Sequence, residues 1–260
     1  MCQEFALTLF RSLMLSTLLL VSTAQAADLG RIQTAGTFRL AYSTNQPALI
    51  SSDNNAISGF ATELMALIAK EMKIGSVSWR NTSTPDQLVQ GLQAATYDAI
   101  IDTHLPQPLG GVDLSKPIAC VGGVILARPK GPSTEQALQG KRIAVVTNSP
   151  YYYYVRNLPF EKKISVFATE DQALIGFLSG NIDALILDRY AALKIFKKVG
   201  SKQFQVSPLL WSQDIDVVVA HSDNKEVLSG INAALKKFQA DGTYSALSMK
   251  YFNQDVRCVL

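Results

Sequence analysis

Apolar positions along this chain switch between two spacings in a regular order. Thr37 to Tyr42 (TFRLAY) alternates softly, as a mostly buried strand does. A polar loop follows from Ser43 to Ser58. From Gly59 to Met72, the residues Phe60, Leu64, Leu67, Ile68 and Met72 recur at helical spacing with Glu63, Lys70 and Glu71 between them, the pattern of an amphipathic helix. Ser76 to Trp79 reads as a second strand. Thr84 and Pro85 supply an N-cap and a first-turn proline for the next helix, and Tyr97 to Ile101 is a third strand. Strand, helix, strand, helix, strand is α/β order. Between Thr103 and Leu114 two prolines and two glycines break the pattern into a loop leaving the strand end. Ile118 to Arg128 reads as one long strand, closed by a turn at Pro129 to Pro132.

The order then starts again. Lys141 to Thr147 is a strand that leads through Asn148-Ser149-Pro150 into a helix opening with Tyr151 to Tyr154. Successive residues of a helix turn by about 100°, so four tyrosines in a row cannot share one face and are expected to divide between buried and exposed. Lys163 to Phe167 is another strand. Tyr190 to Val199 is a helix with Leu193 and Phe196 inward and Lys194, Lys197 and Lys198 outward. Ile215 to Ala220 is a strand, and Ser222 is placed to cap a helix striped by Leu228, Ile231, Leu235 and Phe238 and ended by Gly242. Thr243 to Phe252 is a last short helix.

One unit occurs twice. Asp171 to Asp188 (DQALIGFLSGNIDALILD) repeats Asp86 to Thr103 (DQLVQGLQAATYDAIIDT) at a constant offset. Asp86/Asp171, Gln87/Gln172, Gly91/Gly176, Asp98/Asp183, Ala99/Ala184 and Ile101/Ile186 all match. Two copies of a helix-turn-strand unit predict two similar α/β lobes, each presenting the C-terminal end of a strand. Ligands of open α/β sheets sit at such ends, so a cleft between lobes is expected.

The first 26 residues stand apart from this pattern. Arg11 lies in a short n-region, Leu13 to Val21 is apolar except for Ser16 and Thr17, and Ala24-Gln25-Ala26 is an A-x-A cleavage site. The run is shorter than the roughly 20 apolar residues of a membrane span. A cleaved export leader is expected over 1–26, with the mature protein in the periplasm. The formal net charge is +3, and losing Arg11 with Glu4 does not change it. Without a cluster of Lys and Arg interleaved with aromatics, nucleic acid is not an expected partner. Cys2 leaves with the leader, so Cys120 and Cys258 remain. In an oxidising compartment they either pair, tying mid-chain to tail, or stand as separate thiols.

The order of these elements resembles the type II periplasmic solute-binding proteins, and within them the family 3 group that serves polar amino acid importers. The resemblance is carried by Gly59-Phe60-Ala61-Thr62-Glu63-Leu64, by the D-A-I-I-type strands, by the block Gly180 to Asp188, and by the tail Asp241 to Tyr244 with Lys250 to Phe252. It implies a two-lobed α/β fold, each lobe a mixed sheet flanked by helices, joined by a two-strand hinge. Lobe one would hold 27–119 and 222–260; the hinge strands and lobe two would hold 120–221. It further implies a monomer without cofactor that closes on a small polar ligand, amino-acid-like or cationic, and delivers it to the inner-membrane permease of an ABC-type importer.

The resemblance assigns site residues one at a time. Asp188 falls where the family's amine-binding aspartate sits, and a carboxylate suits an ammonium; the same residue is equally placed to cap the helix from Tyr190. Ser149 matches a serine at a helix N-terminus, where backbone N–H groups attract a carboxylate, although Pro150 offers no N–H. Where α-amino-acid binders carry T-x-x-R, this chain reads Thr103-His104-Leu105-Pro106 and has no arginine. The residues left around the expected cleft are Tyr42, Asn45, Asp102, Thr103, His104, Ser149, Tyr151 and Asp188. Asp102 and His104 alternate on one face of an extended segment, but two groups do not make a metal site, and no metal is expected. The missing arginine also fits an accessory binding-protein-like component of a periplasmic quinoprotein alcohol dehydrogenase system. A cyclic-acid dehydratase using Asp102, His104 and Asp188 is a further alternative by analogy of fold. No phosphate loop, G-x-S-x-G elbow or C-x-x-C is present to support another enzyme class.

Overall fold

The computed structural model describes residues 28–43, 49–53, 56–102, 110–199, 202–220 and 224–258. The chain opens with α1 (Leu29–Ala35), β1 (Thr37–Tyr42), the hairpin β2 (Ser51–Asp53) and β3 (Ala56–Ser58), and α2 (Phe60–Glu71). It continues through β4 (Ser76–Asn81), α3 (Pro85–Gln93), β5 (Ala99–Ile100), β6 (Val112–Leu114) and β7 (Ala119–Val121). The second run is β8 (Gly123–Ala127), β9 (Arg142–Val146), α4 (Pro150–Asn157), β10 (Lys163–Phe167), α5 (Glu170–Leu178), β11 (Ala184–Asp188), α6 (Arg189–Val199) and β12 (Gln205–Val206). The chain then passes through β13 (Gln213–Ile215) and β14 (Val218–Ala220) to α7 (Lys225–Ala240) and α8 (Thr243–Phe252).

Two five-stranded sheets follow one plan. The first has the order β4-β1-β5-β14-β6 and the second β10-β9-β11-β8-β12. In each, three parallel strands are followed by two antiparallel to their neighbours: β1 runs parallel to β4 and β5, and β9 parallel to β10 and β11, whereas β14 and β8 run antiparallel. The fourth strand of each sheet is the one the chain enters after crossing. Crossing occurs at β7 and at β13, which pair antiparallel as a separate ribbon with Cys120 opposite Asp214.

The repeated unit is the same object in both sheets. Thr84 Oγ1 accepts the Gln87 N–H at 3.3 Å while the Gln87 side chain accepts the Ser83 N–H at 3.0 Å; Thr169 and Gln172 repeat this at 3.2 Å and, from Ala168, 3.3 Å. This reciprocal cap fixes where α3 and α5 begin. The matched glycines also have a cause. A Cβ on Gly91 would collide with the Tyr97 ring and one on Gly176 with the Phe167 ring, so each helix passes an aromatic that leaves no room for a side chain. The matched aspartates close the unit. Asp98 accepts Arg39 N, Nε and Nη2 at 2.9, 3.1 and 2.7 Å, and Asp183 accepts the same three atoms of Arg142 at the same distances.

The largest core packs Phe38, Leu40 and Tyr42 of β1 against α2, α7 and α8. The other face of that sheet is covered by Leu88 and Leu92 of α3 with Tyr97. In the second sheet α5 and α6 cover one face and α4 the other. Tyr190 and Leu193 of α6 nevertheless belong to the first core, so this helix reaches across the crossing.

Several expectations change. Ile118 to Arg128 is two strands, because Gly122 stands between β7 and β8 where a Cβ would collide with the Trp211 carbonyl oxygen. Ile215 to Ala220 likewise divides, with Val218–Ala220 in the first sheet. The third strand is only Ala99–Ile100, and Tyr97 before it donates its hydroxyl back to Gln87 O and Leu88 O at 2.9 and 2.6 Å. The polar loop contains the β2–β3 hairpin, and β6 lies in the stretch read as loop. The N-cap of α7 is Asn224; Ser222 lies outside the described residues. Phe196 is half-buried rather than inward.

Candidate functional site

Three connections at the C-terminal ends of parallel strands bring chemistry to the rim of the second sheet. After β9, Asn148 takes a left-handed φ of 55° and turns the chain into α4, whose N-cap is Ser149. After β10, Thr169 caps α5 and Glu170 is its first residue. β11 ends directly in Asp188.

Asp188 does both things its position allows. Its Oδ1 accepts the backbone N–H groups of Tyr190 and Ala191 at 2.7 and 3.1 Å, the N-cap pattern for α6. Its Oδ2 accepts the Tyr151 hydroxyl at 3.4 Å. The cap fixes the carboxylate's orientation with one oxygen and turns the other toward the start of α4. Burial, then the charge of Asp188, holds the Tyr151 phenol well above its usual range, so it stays a neutral donor. Burial, then Asp188 and Asp171, push the Glu170 carboxyl up against the opposing pull of Lys194. The rim of the second sheet is therefore acidic, which favours a cation.

Ser149 is committed within the chain. Its hydroxyl donates to Val146 O at 2.6 Å and accepts the Tyr152 N–H at 3.1 Å, while its own N–H donates to Val146 O at 3.4 Å. With proline at the next position, this helix start has little to offer a carboxylate. Of the four tyrosines, Tyr153 is exposed and Tyr151, Tyr152 and Tyr154 are half-buried. Tyr151 and Tyr154 both pack on Trp211, with ring centroids 5.6 and 4.6 Å away.

On the first sheet, Asp102 stands just past β5, buried, and accepts Ser43 N and Ser43 Oγ at 3.0 and 2.6 Å. Tyr42 is 1% exposed and packs edge-to-face on Trp79 with centroids 6.1 Å apart. Its hydroxyl has no hydrogen-bond partner among the described residues. Tyr42 packs in the core at the strand end. Asn45, Thr103 and His104 lie outside the described residues.

Cys120 and Cys258 form a disulfide with Cα atoms 5.3 Å apart. It fastens β7 to the tail beyond α8. Asp214 lies beside it, but both sulfurs are spent on the bridge and offer no thiolate to a metal. The first residue of α6 adds to this knot. Arg189, buried, donates to Cys120 O, Val256 O and Asp255 O at 3.4, 3.3 and 3.2 Å, and Tyr190 donates its hydroxyl to Cys120 O at 2.9 Å.

Glu170, Arg189 and Trp211 carried no signal in the sequence. Glu170 is an ordinary first-turn acid, Arg189 reads as part of a helix, and Trp211 sits in a loop. Only the unit repeat offered a clue, by marking the strand ends where Glu170 and Asp188 meet.

Similarity to known proteins follows the same lines. A family model for bacterial extracellular solute-binding proteins, family 3, matches residues 38–254. An L-cystine-binding protein of Escherichia coli (strain K12) is 25% identical over 241 residues, 90% of this chain and 90% of that protein. An ABC transporter arginine-binding protein of the same organism is 28% identical over 207 residues, 77% of this chain and 84% of that protein. In structure, a polar amino acid ABC uptake transporter substrate-binding protein from Streptococcus thermophilus superposes with a TM-score of 0.80, covering 90% of this chain and 93% of that one at 21% identity. At that identity the likeness concerns the fold.

Proposed function

The chain belongs to the bacterial extracellular solute-binding proteins, family 3, and on that premise we propose that it captures a small amine-bearing ligand between its two sheets for the permease of an ABC-type importer. The observation that carries this reading is Asp188, a carboxylate held by its own helix cap at the end of a parallel strand, with Oδ2 turned to the rim. A carboxylate oriented in this way accepts a charge-assisted hydrogen bond from an ammonium without first being ordered.

The lobes divide at the β7–β13 ribbon, with β14, α7 and α8 going with the first sheet. A ligand favours closure only if it contacts both lobes. On the first side, Asp102 at the end of β5 is the group in position. The protein works as a monomer in the periplasm after removal of 1–26, and it binds rather than converts its ligand. The relatives' ligands, cystine and arginine by name, both bear amines and set the first compounds to try.

The mature protein should be heated in the presence of amino acids, diamines, opines and small organic acids. An amine present at a hundred times its dissociation constant adds about 2.7 kcal/mol of stability, which raises the melting temperature by a few degrees. If only carboxylic acids without an amine do so, Asp188 is not the recognition group.

A further inference from the structure

Trp211 stands where the amine site meets the chain crossing. Its indole covers Gly123 so closely that a Cβ there would collide with the six-membered ring, and Gly123 pairs in register with Asp188. The same ring packs on Tyr151 with an interplanar angle of 32°, and Tyr151 gives its hydroxyl to Asp188 Oδ2. The backbone around it is fastened to the break between β7 and β8. The Leu210 N–H donates to Gly123 O at 2.8 Å, the Trp211 carbonyl fills the space a Gly122 side chain would take, and the Arg189 N–H donates to Gly122 O at 3.0 Å. Two residues further on, β13 pairs with β7.

We infer that Tyr151 and Trp211 form a positioning relay that aims the Asp188 carboxylate at an ammonium group and ties its occupancy to the crossing at Gly122. This rests on the amine reading of Asp188. A carboxylate oxygen can accept more than one hydrogen bond, so an incoming ammonium joins the phenol on Oδ2 and shifts Tyr151. Its ring lies against an indole that is wedged between Gly123 and two tyrosines, and close-packed groups move together rather than deform. The movement is passed to the segment that enters β13. Tyr154 also packs on the indole, with its hydroxyl on Glu135, so of the two rings on Trp211 Tyr151 is the one tied to Asp188. The long Tyr151–Asp188 hydrogen bond suits this role, because a long, weak contact adjusts at little cost when an ammonium reaches the same carboxylate.

The protein has two tryptophans, so W79F leaves Trp211 as the only indole. This variant is titrated with L-lysine, L-arginine and L-cystine, following Trp211 emission and the heat of binding together. The expected result is a shift in emission that tracks the heat. Adding Y151F should weaken affinity by about fivefold, the scale of one weak hydrogen bond, and remove most of the emission change. With Trp79 restored, W211F should bind within about twofold of the parent while W211A loses about tenfold, since phenylalanine keeps a ring on Gly123. Heat that D188N abolishes, with no emission change and no effect of Y151F, overturns the relay and leaves the amine reading standing. Absence of heat with all three amines, or heat that D188N leaves unchanged, overturns the amine reading and the relay with it.

Discussion

Asp98 and Asp183 are the same residue of the repeat in two surroundings. Both clasp an arginine through three hydrogen bonds of equal length, but the Asp98 side chain is 0% exposed and takes Arg31 as well, while that of Asp183 is 32% exposed. Burial pushes the Asp98 carboxyl up, and the hydrogen bonds from Arg39 and Arg31 outweigh it and hold it low. Arg142 holds Asp183 down to about 2. Leaving two partly exposed guanidiniums beside a neutral amide at the buried Asp98 position costs about 2–3 kcal/mol after discounting for solvent, and breaking the partly exposed Arg142 pair costs about 1 kcal/mol or less. D98N should therefore lower denaturation midpoints several times more than D183N, and equal losses would show the copies to be energetically equivalent. Both carboxylates add stability above about pH 4, and that of Asp183 is lost as pH falls toward 2. At this scale Asp188 was legible from the sequence because the chain places a carboxylate at the end of an apolar run. Trp211 was not, because its partners Gly123 and Tyr151 lie far from it in the chain.

Among elements, the crossing ribbon is where expectation and structure part most clearly. A run such as Ile118 to Arg128 has continuous strand character, and nothing local marks Gly122 as a break; the break is imposed by the Trp211 carbonyl arriving from elsewhere. The helix starts were legible, since Thr84-Pro85 and Ser149-Pro150 state their caps in the sequence. Short strands such as β6 and β12 were not, since three or fewer residues carry no period. Between β13 and β14, Asp216 has a buried Oδ1 with no hydrogen-bond partner among the described residues. Burial and the neighbouring Asp214 push its pKa up to about 6. An acid whose folded pKa lies above its unfolded value of about 4 contributes stability only while protonated. That contribution declines as pH rises from about 4 through 6 and does not return above it. D216N should accordingly raise the melting temperature at pH 7 by the equivalent of about 1 kcal/mol, after discounting for partial exposure, and change it little at pH 4. A stabilisation equal at both pH values would mean that charge is not the cause.

At the level of the whole molecule, the repeat in the sequence proves to be a repeat of sheets. Two matching strand orders, joined by one antiparallel ribbon, set two rims of C-terminal strand ends at the crossing. The disulfide and Arg189 gather β7, α6 and the tail into a knot at that crossing. A bridge across 138 residues removes much freedom from the unfolded chain, roughly 2–4 kcal/mol. In the sequence repeat the position of Asp188 is filled by Thr103 in the first copy, so only the second copy ends in a carboxylate. The most direct measurement is a calorimetric titration of wild type and D188N with the amine that gives the largest thermal shift. A charge-assisted hydrogen bond is worth about 1.5–3 kcal/mol, so D188N, in which the amide still reaches the α6 cap, is expected to bind that amine ten- to a hundredfold more weakly. Equal affinity in the two proteins would assign Asp188 to the helix cap alone and contradict capture through its carboxylate.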